Sequence, residues 1–465
     1  MRKKAFFSML PAIISLAWPT VLEQVMQTAV QYIDTAMVGA LGKQATAAVG
    51  ATSTVNWLVG STVSAIGVGF LSYIAQAMGA GEKDNAKKAS GQAVMSVLIV
   101  GILFTVLTTS LSGLVPVWMQ VDVNIRELAS RYFLILYTPM LFRSASIIFG
   151  TVLRSVGDTK SPMIVGIFVN IINIVLNFLL IYPTRVISIF GGSFTVYGAG
   201  LGIEGAAIAS AAAYTFGGIA ITVRLWRHKE ISPKGQSLRP DLKILRPCLK
   251  VAIPNMFQRF ATSLGYVAFA SMINSLGETA TAAHTIANTV ESAFYIPGYG
   301  MQTAAATLSG NACGARDKEK LQNLAKAIIP LVVVLMILSG GLLFLFAPQL
   351  MTLFSNDGEV IALGTTVLRM VAVSEPFYGV PIVIEGIMQG TGKTVTPFIF
   401  NVLGMWCVRI IGTFICTQLL SFGLISAWAC MIGHNLLLFV LFITHYATGR
   451  WKPVYMRFNK EEKAA

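Results

Sequence analysis

Charge is what this chain has least of. Only 12% of its 465 residues are charged, about half the share of an ordinary soluble protein, while 55% are hydrophobic. The mean hydropathy is +0.70. A water-soluble globule of that mixture would expose too much apolar surface, so the shortage points to a polytopic membrane protein. Histidine and cysteine are scarce as well, four and five in number. Cys248, Cys313, Cys407, Cys416 and Cys430 form no CxxC pair and no metal-type spacing with a histidine, which argues against zinc or redox chemistry and leaves them as packing residues. The motifs GxxxxGK[ST], HExxH and GxSxG are missing too. GAGEKD and GTGKT lack the spacing of a phosphate loop and read as turns. The expectation is a protein that is not an enzyme and has no cofactor; work done on a solute would have to come from an ion gradient.

What is present is apolar sequence, in about twelve runs from 10–38 to 422–447. The net charge of +14 is confined to short clusters between them. EKDNAKK (82–88), RSVGDTK (154–160), 227–250, ARDKEK (315–320) and the tail from Arg450 alternate with loops poor in Lys and Arg: LGKQ (41–44), LGET (276–279) and FSNDGE (354–359). The positive-inside rule accounts for this pattern without a nucleic-acid partner and puts both termini in the cytoplasm. MRKKAFFSMLPAIISLAW imitates a signal peptide, but the run continues through Glu23 to Asp34 without a cleavage site, so it reads as a first span.

An internal repeat organises the rest. ALGKQATAAV (40–49) matches SLGETATAAH (275–284), AMGAGEKD (77–84) matches ACGARDKE (312–319), VGDTKSP (156–162) matches TGKTVTP (391–397), and Pro19 matches Pro254, all at an offset of 235. Two halves of six spans in the same order are parallel repeats related by an axis along the membrane normal. The predicted fold is therefore an all-α polytopic membrane protein of twelve transmembrane helices in two pseudo-symmetric six-helix lobes. The N-lobe is 1–226, a cytoplasmic linker 227–250, the C-lobe 251–449 and a basic tail 450–465. Residues 185–199 read as a longer outer loop.

Polar residues inside these spans mark function, because a charge in hydrocarbon is costly and usually faces a bundle interior or a wet cavity. Glu23, Gln27, Gln31 and Asp34 step by four, four and three, onto one face of the first span. The second half has Gln258, Thr262, Tyr266 and Phe269 at those places, so Asp34 serves one half only. Asn170, Asn173 and Asn177 share a face of span 5, and Ser210 lies in the small-residue span 6. A carboxylate, amides and a hydroxyl suit a proton or Na⁺, since hard cations prefer oxygen. The other reading of the asparagines is interhelical hydrogen bonding. The second half offers His284, Asn288, Glu291 and Tyr295 on span 8, Glu375, Tyr378 and Glu385 on span 10, and Arg259 on span 7, placed to neutralise Glu291 or Glu385. Glu23, Gln27, Gln31, Arg259, His284, Glu291, Glu375 and Glu385 are the candidate cavity and substrate residues.

PTVLEQVMQTAVQYIDTAMVG, AQAMGAGEKDNAKKA, LRSVGDTKSP and TAAHTIANTVESAFYIPGYGMQTAAATLSGNACGA resemble the multidrug and toxic compound extrusion (MATE) transporters, over nearly the whole chain. The resemblance, to prokaryotic members, implies two six-helix lobes around a central cleft and export of amphipathic organic cations or drugs in exchange for H⁺ or Na⁺. It implies a coupling role for a first-span carboxylate, here Asp34. Some members pair it with an Asn and an Asp on span 5, where this chain has Asn173 and Asn177, and sixth-span ligands would fall near Ala206 and Ser210. Other members use C-lobe carboxylates, for which Glu291, Glu375 and Glu385 are the counterparts. Pro19 resembles the proline at which the first helix bends. The expectation is thus a monomeric multi-pass antiporter of the cell (plasma or inner) membrane, its partners drugs or small organic cations and the bilayer, with Na⁺ at Asp34 the one metal to consider. Left open are H⁺ against Na⁺, N-lobe against C-lobe coupling, and a flippase for lipid-linked saccharides as the alternative function.

Overall fold

The computed structural model describes residues 2–119, 121–189 and 192–453, without the side chains of 1–8, 43, 51–54 and 187–194. The predicted basic tail thus lies outside the described residues beyond 453, as do the side chains of Arg2, Lys3 and Lys4. The first half comprises α1 (Arg2–Gly39), α2 (Lys43–Gly79), α3 (Lys83–Ser110), the single turn α4 (Val115–Trp118), α5 (Val123–Tyr137), α6 (Met140–Ser155), α7 (Lys160–Leu180), the hairpin β1 (Pro183–Ile189) and β2 (Gly192–Ala199), and α8 (Gly202–Trp226). The second comprises α9 (Leu242–Asn274), α10 (Glu278–Gly314), α11 (Lys318–Thr352), α12 (Gly358–Gly390), α13 (Val395–Leu403), α14 (Ile411–Phe414) and α15 (Leu424–Ala447). Among the described residues these make twelve long helical runs, once α5 and α6 count as one run bent by 51° and Val395–Leu419 as another. Ten of them, all but α9 and α10, are long and apolar enough by themselves to cross a membrane. Pro139, which has no N–H to donate, stands at the α5–α6 break. Its counterpart 235 residues on is Ser374, and there α12 runs on as one helix.

The backbone repeats with the same offset. Gly42 and Gly277 have φ of 107° and 103°, and Gly157 and Gly392 have 86° and 79°. Gly81 at 78° is matched by Arg316 at 52°, a left-handed conformation that costs a residue with a Cβ. Asp122 and Asp357 cap α5 and α12 by accepting from the backbone N–H two residues ahead, at 2.8 Å and 2.9 Å. Span 11 departs from its partner α7: it contains π-helical stretches at Gly404–Ile410 and Ile415–Leu419. The expected outer loop at 185–199 is instead a two-stranded antiparallel hairpin. Its Val and Ile alternation was the available signal.

The chain forms two compact units. One is Leu22–Phe70 with Lys83–Leu245; the other is Met1–Val21, Leu71–Glu82 and Arg246–Ala465. Within the second unit the end of α2 packs on the end of α10 backbone to backbone. A methyl on Gly79 would overlap the Asn311 carbonyl, and one on Gly314 would overlap the Gln76 carbonyl. Gly79 and Gly314, like Gln76 and Asn311, are repeat partners, so the contact is reciprocal. Glycine is required because lipid offers no hydrophobic drive between helices, and close approach must supply the attraction. Ser72 and Gln76 then donate to the Gly390 carbonyl at 3.2 Å and 2.8 Å.

In the first unit the segment 227–245 is fastened rather than loose. Gln92 of α3 donates to the carbonyls of Ser237 and Arg239 at 3.3 Å and 2.8 Å and accepts from Asp241 N–H at 3.0 Å. Long apolar side chains such as Ile102, Leu103 and Val106 of α3 stay exposed, as lipid-facing positions do.

Candidate ion-coupling site

In the first unit Asp34 of α1, Asn173 and Asn177 of α7, and Ser210 of α8 come together. Asn173 and Asn177 are 6% and 1% exposed, one turn apart on the single polar face of a helix whose Ile171, Val175 and Phe178 point outward. α8 reaches them because its facing residues are small: Gly205 lies against the Leu180 carbonyl, where a methyl would overlap. Asn177 Nδ2 donates to Asp34 Oδ1 at 2.6 Å. The Asn173 amide can be placed two ways. With its nitrogen towards Asp34 it donates to both carboxylate oxygens at 2.8 Å and 3.1 Å and accepts from Ser210 Oγ at 3.0 Å. Turned over, it donates to Ser210 Oγ at 3.0 Å and accepts from Asn177 Nδ2 at 3.1 Å, with its oxygen towards Asp34. The first arrangement fits an ionised carboxylate, which only accepts; the second fits a protonated one, which can donate. Asn177 Oδ1 is buried without a donor among the described residues, an acceptor open to a cation.

The rest of the stripe on α1 divides. Glu23 takes two hydrogen bonds from Arg154 Nη2 of α6, at 2.6 Å and 2.8 Å, in a pair only 21% and 17% exposed. Gln27 and Gln31 are exposed. α1 passes through Pro19 as helix, and the division between the two units falls just after it, between Val21 and Leu22. A second polar cluster surrounds Arg143 of α6, which donates to Asn56 Oδ1 at 2.6 Å and stands 4.8 Å over the Tyr214 ring.

The second unit gathers its polar residues differently. Glu385 accepts from Gln258 and Gln389 at 3.0 Å each and from Asn401 at 3.1 Å. Arg259, expected to neutralise Glu291 or Glu385, forms an ion pair with neither among the described residues; its Nε donates to Asn255 at 2.8 Å. Arg409, on the π-helical stretch of span 11, is a buried cation of this unit. Arg409 stands 4.2 Å over the Phe269 ring and 4.9 Å over that of Tyr266. His284 is wedged edge-on between Phe269 and Trp428, a packing position. Both Glu375 oxygens are buried with no partner among the described residues. Arg154, Asn401 and Arg409 are the residues that sequence reasoning passed over. Arg154 opens the basic cluster RSVGDTK, which reads as a loop, whereas a lone Arg in the apolar run WCVRIIG, Arg409, is itself a signal.

The sequence model of the MatE family matches residues 19–179 and again 254–415, starting 235 residues apart, as the repeat does. The chain belongs to the MatE family. It is similar to the "Probable multidrug resistance protein NorM" of Thermotoga maritima, 26% identical over 440 residues and covering 95% of this chain and 92% of the relative. The fold matches an outward-facing multidrug resistance MATE family transporter of the MOP superfamily, with a TM-score of 0.85, 23% identity and 94% of each chain covered. A Pyrococcus furiosus MOP superfamily transporter described by a binding pocket of reverse polarity superposes equally well, with a TM-score of 0.86, 23% identity and 96% of each chain covered. MatE membership agrees with the multi-pass membrane architecture and the transporter class that the repeat implied.

Proposed function

We propose that this MatE protein is a secondary antiporter that exports amphipathic organic cations, drugs among them, in exchange for inward H⁺ or Na⁺. It acts as a monomer in the cell membrane with both termini cytoplasmic. The observation that carries the reading is a single carboxylate, Asp34, held by two asparagines, one of them bonded in turn to Ser210, on helices of one unit. The multidrug name of the Thermotoga relative supports the substrate class.

Ionised Asp34 accepts from both asparagines and braces α1 against α7. Protonation removes the reason for Asn173 to present its nitrogen, so the amide turns towards Ser210 and α1 keeps fewer strong bonds to α7. Charge-assisted bonds are roughly twice as strong as neutral ones, so one proton loosens the α1 contact substantially. Alternating access of the two lobes then releases substrate on the far side. A sodium ion would use the same oxygens: Asp34 Oδ1 and Oδ2, the asparagine carbonyls and Ser210 Oγ.

Ethidium efflux from liposomes holding the purified protein, with pH and Na⁺ gradients imposed separately, tests this. Efflux driven by the pH gradient alone, and lost in Asp34→Asn at normal protein level, is expected. Retained export by Asp34→Asn overturns it, and absence of transport under either gradient revives the saccharide flippase.

A further inference from the structure

Beside the Asp34 network, on the exposed flank of the same two helices, runs a shallow groove of about 680 Å³. Ile33 and Met37 of α1 line it with Ile174, Val175, Phe178 and Leu179 of α7. Its walls are apolar except at one end, which Tyr182 and Arg185 close. Tyr182 Oη donates to the Met37 carbonyl at 3.0 Å, fixing the root of the hairpin to α1. The Arg185 guanidinium lies 4.2 Å from the ring centroids of both Phe178 and Tyr182. Rings over a guanidinium hold its plane and leave the N–H edge free to grip a phosphate through two hydrogen bonds. Among the described residues no carboxylate pairs with Arg185. α7 ends at Leu180, so Arg185 stands where the chain leaves the apolar span, at headgroup depth.

We propose that this groove binds an anionic phospholipid, with the phosphate on Arg185 and an acyl chain laid between α1 and α7. The apolar walls give free phosphate nothing to pack on. A zwitterionic headgroup brings a cation that needs an acid, and no acid lines the groove. The acyl chain would touch Ile33 and Phe178, the sequence neighbours of Asp34 and Asn177. A bound lipid would therefore brace the same pair of helices that the carboxylate–amide bond joins.

The test is lipid retention by the purified full chain in nanodiscs holding phosphatidylglycerol and phosphatidylcholine in equal amounts, read by native mass spectrometry. Wild type is expected to keep phosphatidylglycerol over phosphatidylcholine by about fivefold, the ratio expected for one basic residue at a lipid surface. Arg185→Gln removes the preference. Val175→Trp fills the groove and lowers retention with the arginine intact. Arg369→Gln, which removes an arginine standing over Phe344 away from the groove, leaves retention unchanged. Equal retention by wild type, Arg185→Gln and Val175→Trp overturns the proposal, as does displacement of the lipid by inorganic phosphate alone. Retention is read without transport, so this result is separable from the fate of the antiport reading.

Discussion

The two halves place different chemistry at equivalent points of one scaffold. Asp34 corresponds to Phe269 at the offset of 235, and Asn177 corresponds to Gly412. In the first half a carboxylate accepts from amides on span 5. In the second, Phe269 receives the guanidinium of Arg409 from span 11 over its ring. Deeper along the same helices, Glu23 binds Arg154, and its counterpart Gln258 binds Glu385. Span 1 is joined to span 4, and span 7 to span 10, by a polar bond in both halves, but the charges are rearranged. The turn before span 5 repeats the lesson. Asp158 accepts from Arg224 at 2.9 Å, whereas its counterpart Lys393 donates to the Arg450 carbonyl at 2.7 Å. Duplication conserves where helices need polar joints; which residue can titrate is decided in each half separately.

The largest effect should come from erasing the difference at the first point. Asp34→Asn is expected to reduce efflux in liposomes to background, while Phe269→Leu leaves it running; equal losses would make the halves functionally alike. Next, Gly314→Ala pushes a methyl into the Gln76 carbonyl and should cost about 1–3 kcal/mol by thermal unfolding. Gly341→Ala, with nothing within 4 Å of the new carbon, is the neutral control. Glu23→Gln, which copies the second half, leaves the half-buried Arg154 without its carboxylate and should cost about 2 kcal/mol. Arg316→Gly copies the first half in the other direction. Relieving the left-handed backbone should raise stability by up to about 1 kcal/mol. A melting temperature that does not rise would mean the contacts of Arg316 outweigh the strain.

The smallest effect is a pH dependence. Burial pushes the Asp158 carboxyl up, but the Ser161 hydroxyl and N–H and the Arg224 guanidinium together outweigh it and hold it below the ordinary 3.8. A depressed folded value means the stabilisation is complete above 3.8 and fades as pH falls through the folded value. Arg224 is 49% exposed, so the contribution is modest, on the order of 0.5–1 kcal/mol. Melts of wild type and Asp158→Asn should differ at pH 7 and converge only in strong acid.

The twelve spans, the parallel repeat and the candidate polar residues were legible because period, hydropathy and offset are properties of the chain itself. The turns at Gly42 and Gly277 followed as well, since only glycine takes that backbone without strain. Pairing was not legible. Nothing local tells that Arg154 serves Glu23 rather than solvent, or that Arg259 leans on Asn255 and leaves Glu385 to three amides. The Glu23–Arg154 and Glu385–Gln258 bonds join residues more than a hundred positions apart, and a buried group takes whichever partner the packed helices bring within about 3 Å. Span 11 shows the same limit. Its π-helical turns shift Arg409 around the helix, a displacement that no 3.6-residue period predicts. Sequence determined which segments cross the bilayer and that they do so twice over. Tertiary structure alone decided which polar groups meet, because in a low-dielectric interior the position of the partner decides whether a charge is a coupling group or a clamp.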